Sequence, residues 1–372
     1  MLMAGLLALF WVLIWGERFR SMRYLMRLEQ FAEQTPAVYP RVSVLVAACN
    51  EEATVASALQ SLLALDYPDY EVVVVNDRSS DQTGAILDGM ARPGLVVVHN
   101  RELPQGWLGK NHALHLAARR ASGEVLLFTD ADVHFEPTAL RVAVAAMLNL
   151  RVDHLVMVPT IETHGFWEKT LIGFFTFMFG SRFRPELVHR EERYFVGVGA
   201  FNMLRRAAYQ QIGGHEPISL QVADDLMLGK LIKQAGLTQA FLAGQRYARV
   251  RWVVGLGGLV HGLEKNAFAG LEYSVAQTLV GCGGLLTVTW GPLWCGTPGL
   301  APLILMLGGA MIHHRRIELP AWSGLTFPLA SLVLNYVILR SMLLTLWRGG
   351  IWWRGTFYSL RELRSQPISF WT

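Results

Sequence analysis

Hydrophobic residues fall into three regimes along this chain. Between residues 39 and 252 they come as short runs: Val42-Ser43-Val44-Leu45-Val46-Ala47-Ala48, Glu71-Val72-Val73-Val74-Val75, Leu95-Val96-Val97-Val98, and Val125 to Phe128. Near-continuous β-branched runs of this length fit strands buried on both faces of a parallel sheet. Helical stretches separate them at Ala53 to Ala64, Gln82 to Met90 and Lys110 to Arg120. Strand and helix in alternation predict an α/β domain of nucleotide-binding type.

The two ends of the chain follow a different pattern. Met1 to Gly16 are almost wholly apolar, and Arg18, Arg20, Arg23 and Arg27 follow. The run is short for a spanning helix, which needs roughly 17–25 residues. It lacks the basic start and the small-residue cleavage site of a signal peptide. The expectation is an uncleaved anchor over residues 1–17, with the arginines and the domain behind them in the cytoplasm. At the other end, Ser274 to Leu293, Leu300 to Ile312 and Trp322 to Leu346 are candidate spans of a membrane region at 274–347, followed by a basic tail at 348–372. Gly291-Pro292 and Thr297-Pro298-Gly299 favour a hairpin between the first two. Three full crossings would leave Arg348, Arg354, Arg361 and Arg364 outside, against the positive-inside pattern. Two or three spans therefore stay open, with a re-entrant or interfacial segment as one solution. Between domain and spans, at 253–273, Leu256, Leu259, Val260, Leu263, Phe268 and Leu271 recur at near-helical intervals. This segment is either an amphipathic helix on the membrane surface or a helix packed on the domain's own core.

Composition agrees with this division. The 372 residues are 52% hydrophobic, above the roughly 45–50% of soluble proteins, and the excess lies at the ends. The net charge of +4 is too small and dispersed for nucleic-acid binding. Cys49, Cys282 and Cys295 are scattered and give neither a disulfide framework nor zinc spacing.

The candidate chemistry sits where the strands end. Asn50-Glu51-Glu52 follows the first run, Asn76-Asp77-Arg78-Ser79-Ser80-Asp81 the second, and Asp130-Ala131-Asp132 the fourth. Ligands of open α/β sheets bind beyond the carboxyl ends of strands. Carboxylates there hold a divalent cation, and the cation holds a diphosphate. Thr54 and Asp81 are read as helix caps; Asp77, Asp130 and Asp132 are read as functional. Lys110 follows a Gly-x-x-Gly run at a helix start, where helix and ammonium both favour a phosphate. A solvated helix residue is the plain alternative. Asp224-Asp225 opens a helical stretch from Leu226 to Ala235.

Val-Ala-Ala-Cys-Asn-Glu-Glu at 46–52, Val-Val-Asn-Asp-Arg-Ser-Ser-Asp at 74–81, the Asp130/Asp132 pair and Asp224-Asp225 occur in the order seen in family 2 glycosyltransferases of GT-A fold. The chain resembles that family over roughly residues 40 to 270. Gly106-Trp107-Leu108-Gly109-Lys110-Asn111, Gly197-Val198-Gly199-Ala200-Phe201-Asn202 and Gly213-Gly214-His215-Glu216 resemble its membrane-anchored branch, ceramide-glucosyltransferase-like and hopanoid- or carotenoid-associated. The resemblance implies a GT-A mixed sheet flanked by helices at 39–252, between N- and C-terminal transmembrane helices. It implies inverting transfer of a single sugar from a nucleotide-sugar, a UDP-sugar, to a lipid hydroxyl at the cytoplasmic face of the cell (inner) membrane.

By the same resemblance, Asn50, Glu51 and Asp77 would contact the nucleotide, and Lys110 a phosphate or sugar oxygen. Asp130 and Asp132 would hold Mg2+ or Mn2+. Asp225 would be the base, with Asp224 placing it or binding acceptor; adjacent acids raise one pKa. Arg251-Trp252 resembles the end of the Gln-x-x-Arg-Trp motif of processive synthases, with Ala248 in place of the Gln. Arg251 would reach the diphosphate and Trp252 line the acceptor site; a juxtamembrane Arg and interfacial Trp are the plain alternative. The degraded motif argues against a processive polysaccharide synthase, and the complete acidic set argues against a non-catalytic scaffold.

Overall fold

The computed structural model describes residues 1–365, 368 and 369; the rest of the tail expected at 348–372 lies outside the described residues. The strands are β1 (Met26–Arg27), β2 (Val42–Ala48), β3 (Tyr70–Asp77), β4 (Leu95–Asn100), β5 (Val125–Asp130), β6 (His134–Phe135) and β7 (His154–Val158). β8 (Thr160–Ile161), β9 (Asn202–Arg205), β10 (Gln239–Ala243), β11 (Ala248–Val250), β12 (Gly350–Trp353) and β13 (Thr356–Ser359) follow. The helices are α1 (Leu2–Ser21), α2 (Val55–Leu63), α3 (Thr83–Gly89), α4 (Gly109–Arg120), α5 (Ala139–Leu150), α6 (Gly165–Phe183) and α7 (Arg206–Gln211). They continue as α8 (Asp224–Gln234), α9 (Gly255–Ala269), α10 (Val275–Trp294), α11 (Leu300–Arg316), α12 (Phe327–Arg348) and α13 (Leu360–Arg364).

The Val runs form the sheet they predict. β2 is buried at every position and β3 at all but its first. Each Val or Leu withdrawn from water there contributes about 1.5–3 kcal/mol. β4 departs from the expectation: it alternates between half-buried and exposed, because it is the outermost strand of its sheet. The order is β1-β10-β7-β9-β5-β2-β3-β4. β9 runs antiparallel to β5 and β7, and the other pairs are parallel, so the sheet is mixed.

Register decides where the polar strand ends meet. Ala47 lies opposite Asp130, Ala48 opposite Asn76, and Asp77 opposite Asn100. The carboxyl ends of β2, β3 and β5 therefore share one edge of the sheet.

Two helices are long and apolar enough to cross a membrane by length and composition among the described residues. One spans Leu2–Tyr24 with mean hydropathy 1.6, the other Ala321–Arg348 with mean hydropathy 1.8. α1 thus runs beyond the apolar run ending at Gly16, and the helix is long enough. Arg18 is not a solvated flanking charge. It is buried, ion-paired with Glu186, and packed over Gly180 of α6. α10 and α11 stand where the first two C-terminal spans were expected, but neither is one of the two candidate spans, and α11 is only 17 residues long.

The segment at 253–273 forms α9, with Leu259, Leu263 and Phe268 buried against the protein's own helices. The Phe268 amide donates to Ser341 Oγ of α12 (3.0 Å). The start of the tail is not a loose basic extension. β12 and β13 form a hairpin that returns to the α/β domain. Arg78 Nη1 donates to Thr356 Oγ1 (3.0 Å), and the Gly109 amide donates to the Tyr358 hydroxyl (3.2 Å). Arg348 pairs with Glu264 of α9 (3.1 Å), and Arg364 donates to the Tyr273 carbonyl (2.6 Å). The chain from α9 to β12 therefore starts and ends at the same domain.

Candidate active site

One cleft beyond the end of β5 is lined by Lys110, Asp130, Gly199, Asn202, Asp224 and Asp225. The Lys110 ammonium stands 2.8 Å from Asp130 Oδ1 and 3.5 Å from Asp224 Oδ1. Burial works against the charged lysine, but Asp130, Asp224 and Asp225 more than offset it and raise its pKa. Burial pushes Asp130 up, and Lys110 beside it reverses this, leaving Asp130 below its ordinary value. Asp224 is raised to about 6 by burial, against the pull of Lys110. Asp225 is also raised, by burial first. Its Oδ1 accepts from the Leu226 amide (2.8 Å), an otherwise unpaired donor of the first turn of α8.

The Gly-Val-Gly run explains how the acids come so close to the backbone. A Cβ on Gly197 would fall 1.8 Å from the Asp225 carbonyl oxygen. One on Gly199 would fall 2.7 Å from Asp130 Oδ2. Asn202, at the end of the same motif, donates from Nδ2 to the Asp225 carbonyl (3.4 Å). Asn111 is fully buried and ties α4 to the 218–221 loop through the carbonyls of Ile218 (2.7 Å) and Gln221 (2.9 Å).

The loops after β2 and β3 are laced together. Asn50, at φ 57°, accepts on Oδ1 from the Ser80 amide (2.8 Å), and its own amide donates to Ser79 Oγ (3.0 Å). The Glu51 amide donates to Thr83 Oγ1 (2.8 Å), and the Gln82 amide to Glu52 Oε2 (3.0 Å). Asp81 does accept from the Thr83 amide (3.0 Å) as a cap would. Thr54 does not cap α2; its hydroxyl donates to Glu51 Oε2 (3.0 Å). Asp77 is fully buried, and its carboxylate is held by Arg78 through two bonds (2.9 and 3.0 Å) and by Asn100 Nδ2 (3.0 Å). Arg78 and Asn100 were not singled out from sequence, because neither a neighbour across a strand pair nor a side-chain rotamer is written in a motif.

Asp132 is pushed up to about 7, by burial and then by Asp130 and Glu51. Glu51 is itself raised by burial. Carboxylates crowded in this way repel one another, and a divalent cation between them relieves the repulsion. Among the described residues no three His, Cys, Asp or Glu side chains converge as a ready metal cage. The hard oxygens of Asp130 and Asp132 fit Mg2+ or Mn2+ completed by ligand and water oxygens.

Arg251 and Trp252 make their contacts elsewhere. Arg251 Nη2 is 3.7 Å from Glu168 Oε1, and the Trp252 ring packs on Phe175 with centroids 4.6 Å apart, both on α6. The cations that act on Asp130 are Lys110, Arg354 and Lys265. A separate cavity of about 400 Å³ lies on another face of α4, lined by Trp107, His112, His115, Arg119 and Glu216.

Residues 43–213 match the family described as Glycosyl transferase family 2. A beta-monoglucosyldiacylglycerol synthase of Synechocystis sp. is 39% identical over 107 residues, 28% of this chain and 22% of that protein. A 4,4'-diaponeurosporenoate glycosyltransferase of Staphylococcus haemolyticus is 23% identical over 269 residues, 69% of this chain and 68% of that protein. The chain thus matches only about a quarter of the length of several curated relatives, 22–27%. A mannosyltransferase from Pyrobaculum calidifontis, solved in complex with GDP-Man and Mn2+, shares the fold at a TM-score of 0.56 and 19% identity, over 90% of this chain and 99% of that one. The strand-end acids, the mixed sheet and these matches agree: residues 43–213 form a glycosyl transferase family 2 domain, and the fold is GT-A-like.

Proposed function

We propose that this chain is a membrane-bound inverting glycosyltransferase that moves one sugar from a nucleotide-sugar, a UDP-sugar, to a lipid hydroxyl at the cytoplasmic membrane face. The observation that carries this reading is the Asp224–Asp225 pair opening α8, gathered with Lys110 and Asp130 into one cleft. The Asp225 carboxylate takes the proton of the acceptor hydroxyl. The hydroxyl oxygen forms a bond to the anomeric carbon from the face opposite the diphosphate. The bond from that carbon to the diphosphate oxygen breaks, and the nucleoside diphosphate leaves with the electron pair. A carboxylate raised toward neutrality by burial is a better proton acceptor than one in water. Asp224 positions Asp225 or holds the acceptor, and Lys110 keeps the acids from repelling one another. Asn50, Glu51 and Asp77 form the nucleoside side of the site. Mg2+ or Mn2+, held by Asp130 and Asp132, supplies charge neutralisation at the diphosphate.

Support for a lipid acceptor comes from α1 and the apolar helix at 321–348, and from relatives named for a monoglucosyldiacylglycerol and for 4,4'-diaponeurosporenoate. Because α9 and β12 belong to one side, the chain between them crosses the membrane an even number of times. α12, long and apolar enough to cross, supplies one of that pair, and of α10 and α11 one supplies the other while its neighbour is re-entrant or interfacial. Arg348, Arg354, Arg361 and Arg364 are then cytoplasmic, as the positive-inside pattern requires.

The test is transfer of radiolabel by purified protein, in detergent with lipid extract and Mn2+ or Mg2+, from a panel of UDP-sugars and GDP-Man. A single labelled species in the organic phase from one donor is the expected result. A ladder of products would point to a processive synthase, and label confined to water would sink the lipid acceptor. Absence of donor binding would leave only a scaffold.

A further inference from the structure

The β12–β13 hairpin carries a side chain that the chemistry above does not use. Its strands are joined by Arg354 and Gly355, with φ of 48° and 76°. A two-residue turn with both φ positive ordinarily takes Asn, Asp or Gly at the first place. Arg there costs conformational energy, and such outliers persist where the surroundings impose them. The guanidinium gains no hydrogen bond at Nη1, which is buried and has no partner among the described residues. A buried donor without an acceptor is costly, and most such groups in folded proteins are paired.

The surroundings indicate the missing acceptor. Arg354 acts electrostatically on Glu51 and Cys49, at the end of β2, and on Asp130, at the end of β5. Neither carboxylate is bonded to it. The partner of Asp130 is Lys110, and that of Glu51 is Thr54. Lys265 of α9 adds a further cation, its ammonium 3.9 Å from the centroid of the Trp353 ring beside Arg354. Lys110, Lys265 and Arg354 therefore converge on one place from three elements far apart in sequence. The hairpin is held there by Thr356 to Arg78 and by Tyr358 to Gly109.

We propose that the β12–β13 hairpin roofs the nucleotide-sugar site and that Arg354 at its tip binds the diphosphate of the donor. This rests on the nucleotide-sugar reading above. A guanidinium presents planar, paired N–H donors that match phosphate oxygens. The diphosphate supplies the acceptor that Nη1 lacks and negative charge for the converging cations. The donor site is then completed only by a segment that follows the last apolar helix.

The test is the affinity of full-length protein in detergent, with Mn2+, for UDP and GDP and for uridine and guanosine, by titration calorimetry. Arg354→Ala should weaken nucleoside diphosphate binding by about ten- to a hundredfold, the loss of one hydrogen bond to a charged group. Binding of the free nucleoside should be unchanged, and Arg354→Lys should recover part of the loss. An unchanged melting temperature shows that the variants fold. Equal diphosphate affinity in wild type and Arg354→Ala overturns the proposal and leaves the donor reading intact. If wild type binds neither diphosphate, both fall together.

Discussion

The floor of the proposed site is made of strand ends at 49–52, 76–81 and 130–132 and of the first turns of α4 and α8 beside them; its proposed roof comes from α9 and the hairpin at 350–359. The floor is fixed by sheet register and by Val runs buried on both faces. The roof is fixed by a handful of side-chain bonds between elements distant in sequence: Tyr358 to Gly109, Thr356 to Arg78, and Arg348 to Glu264. Breaking a strand ladder costs the packing of many residues together, whereas a few polar contacts can part locally. The floor thus holds the proposed catalytic groups in one arrangement, and on this reading the roof is the part able to open for donor and product.

The largest effect should come from the floor. Asp225→Asn should lower kcat by about 10²- to 10⁴-fold, the range for loss of a general base, with nucleoside diphosphate affinity kept; full activity in this variant would remove Asp225 from the chemistry. Acidity should act there too. Below about pH 7 Asp132 takes up a proton, and a metal must displace it. Apparent Mn2+ affinity should therefore fall as pH drops through 7, by up to about tenfold per unit; a flat profile from pH 8 to 5.5 would argue against Asp132 as a ligand. Lys110 opposes the burial that raises Asp224 and Asp225. Lys110→Met should raise both further and move the acid limb of kcat to higher pH; a move to lower pH would contradict the electrostatics.

Smaller effects should mark the roof. Tyr358→Phe leaves the buried Gly109 amide without its acceptor, a cost of about 1–3 kcal/mol. Hydrogen exchange at 350–359 should speed up while the strands of the sheet keep their protection; equal loosening of β2 and β3 would abolish the contrast. The smallest change is expected for Arg251→Ala. That residue is half-exposed and 3.7 Å from Glu168, and such pairs contribute under about 1 kcal/mol. Donor affinity should be unchanged, and a tenfold loss would restore the expectation that Arg251 reaches the diphosphate.

The same contrast explains what sequence could convey. The floor was legible because a β-branched run that stops at Asp or Asn states both a strand and its end. α2, α3 and α4 lie within a few residues of their expected bounds, and Asp130, Asp224 and Lys110 do share one cleft. β4 read as fully buried because its Val run carries no sign of being outermost. The length of α1 was missed because Arg18 and Arg20 look like a boundary, whereas Arg18 is inside, paired with Glu186. Arg354 had no pattern to reveal it: a basic residue after an apolar helix reads as a membrane flank, and only the returning hairpin gives it another place. Arg251 was drawn toward the diphosphate by a partial motif, and its contacts are with α6 instead.

The most direct test of the central claim is the anomeric configuration of the sugar on the labelled lipid. Product made from an α-linked nucleotide-sugar would be extracted into the organic phase and examined by proton NMR. A β-linked glycolipid formed by wild type and not by Asp225→Asn is the result predicted. An α-linked product, or label that never leaves the aqueous phase, would contradict direct displacement onto a lipid.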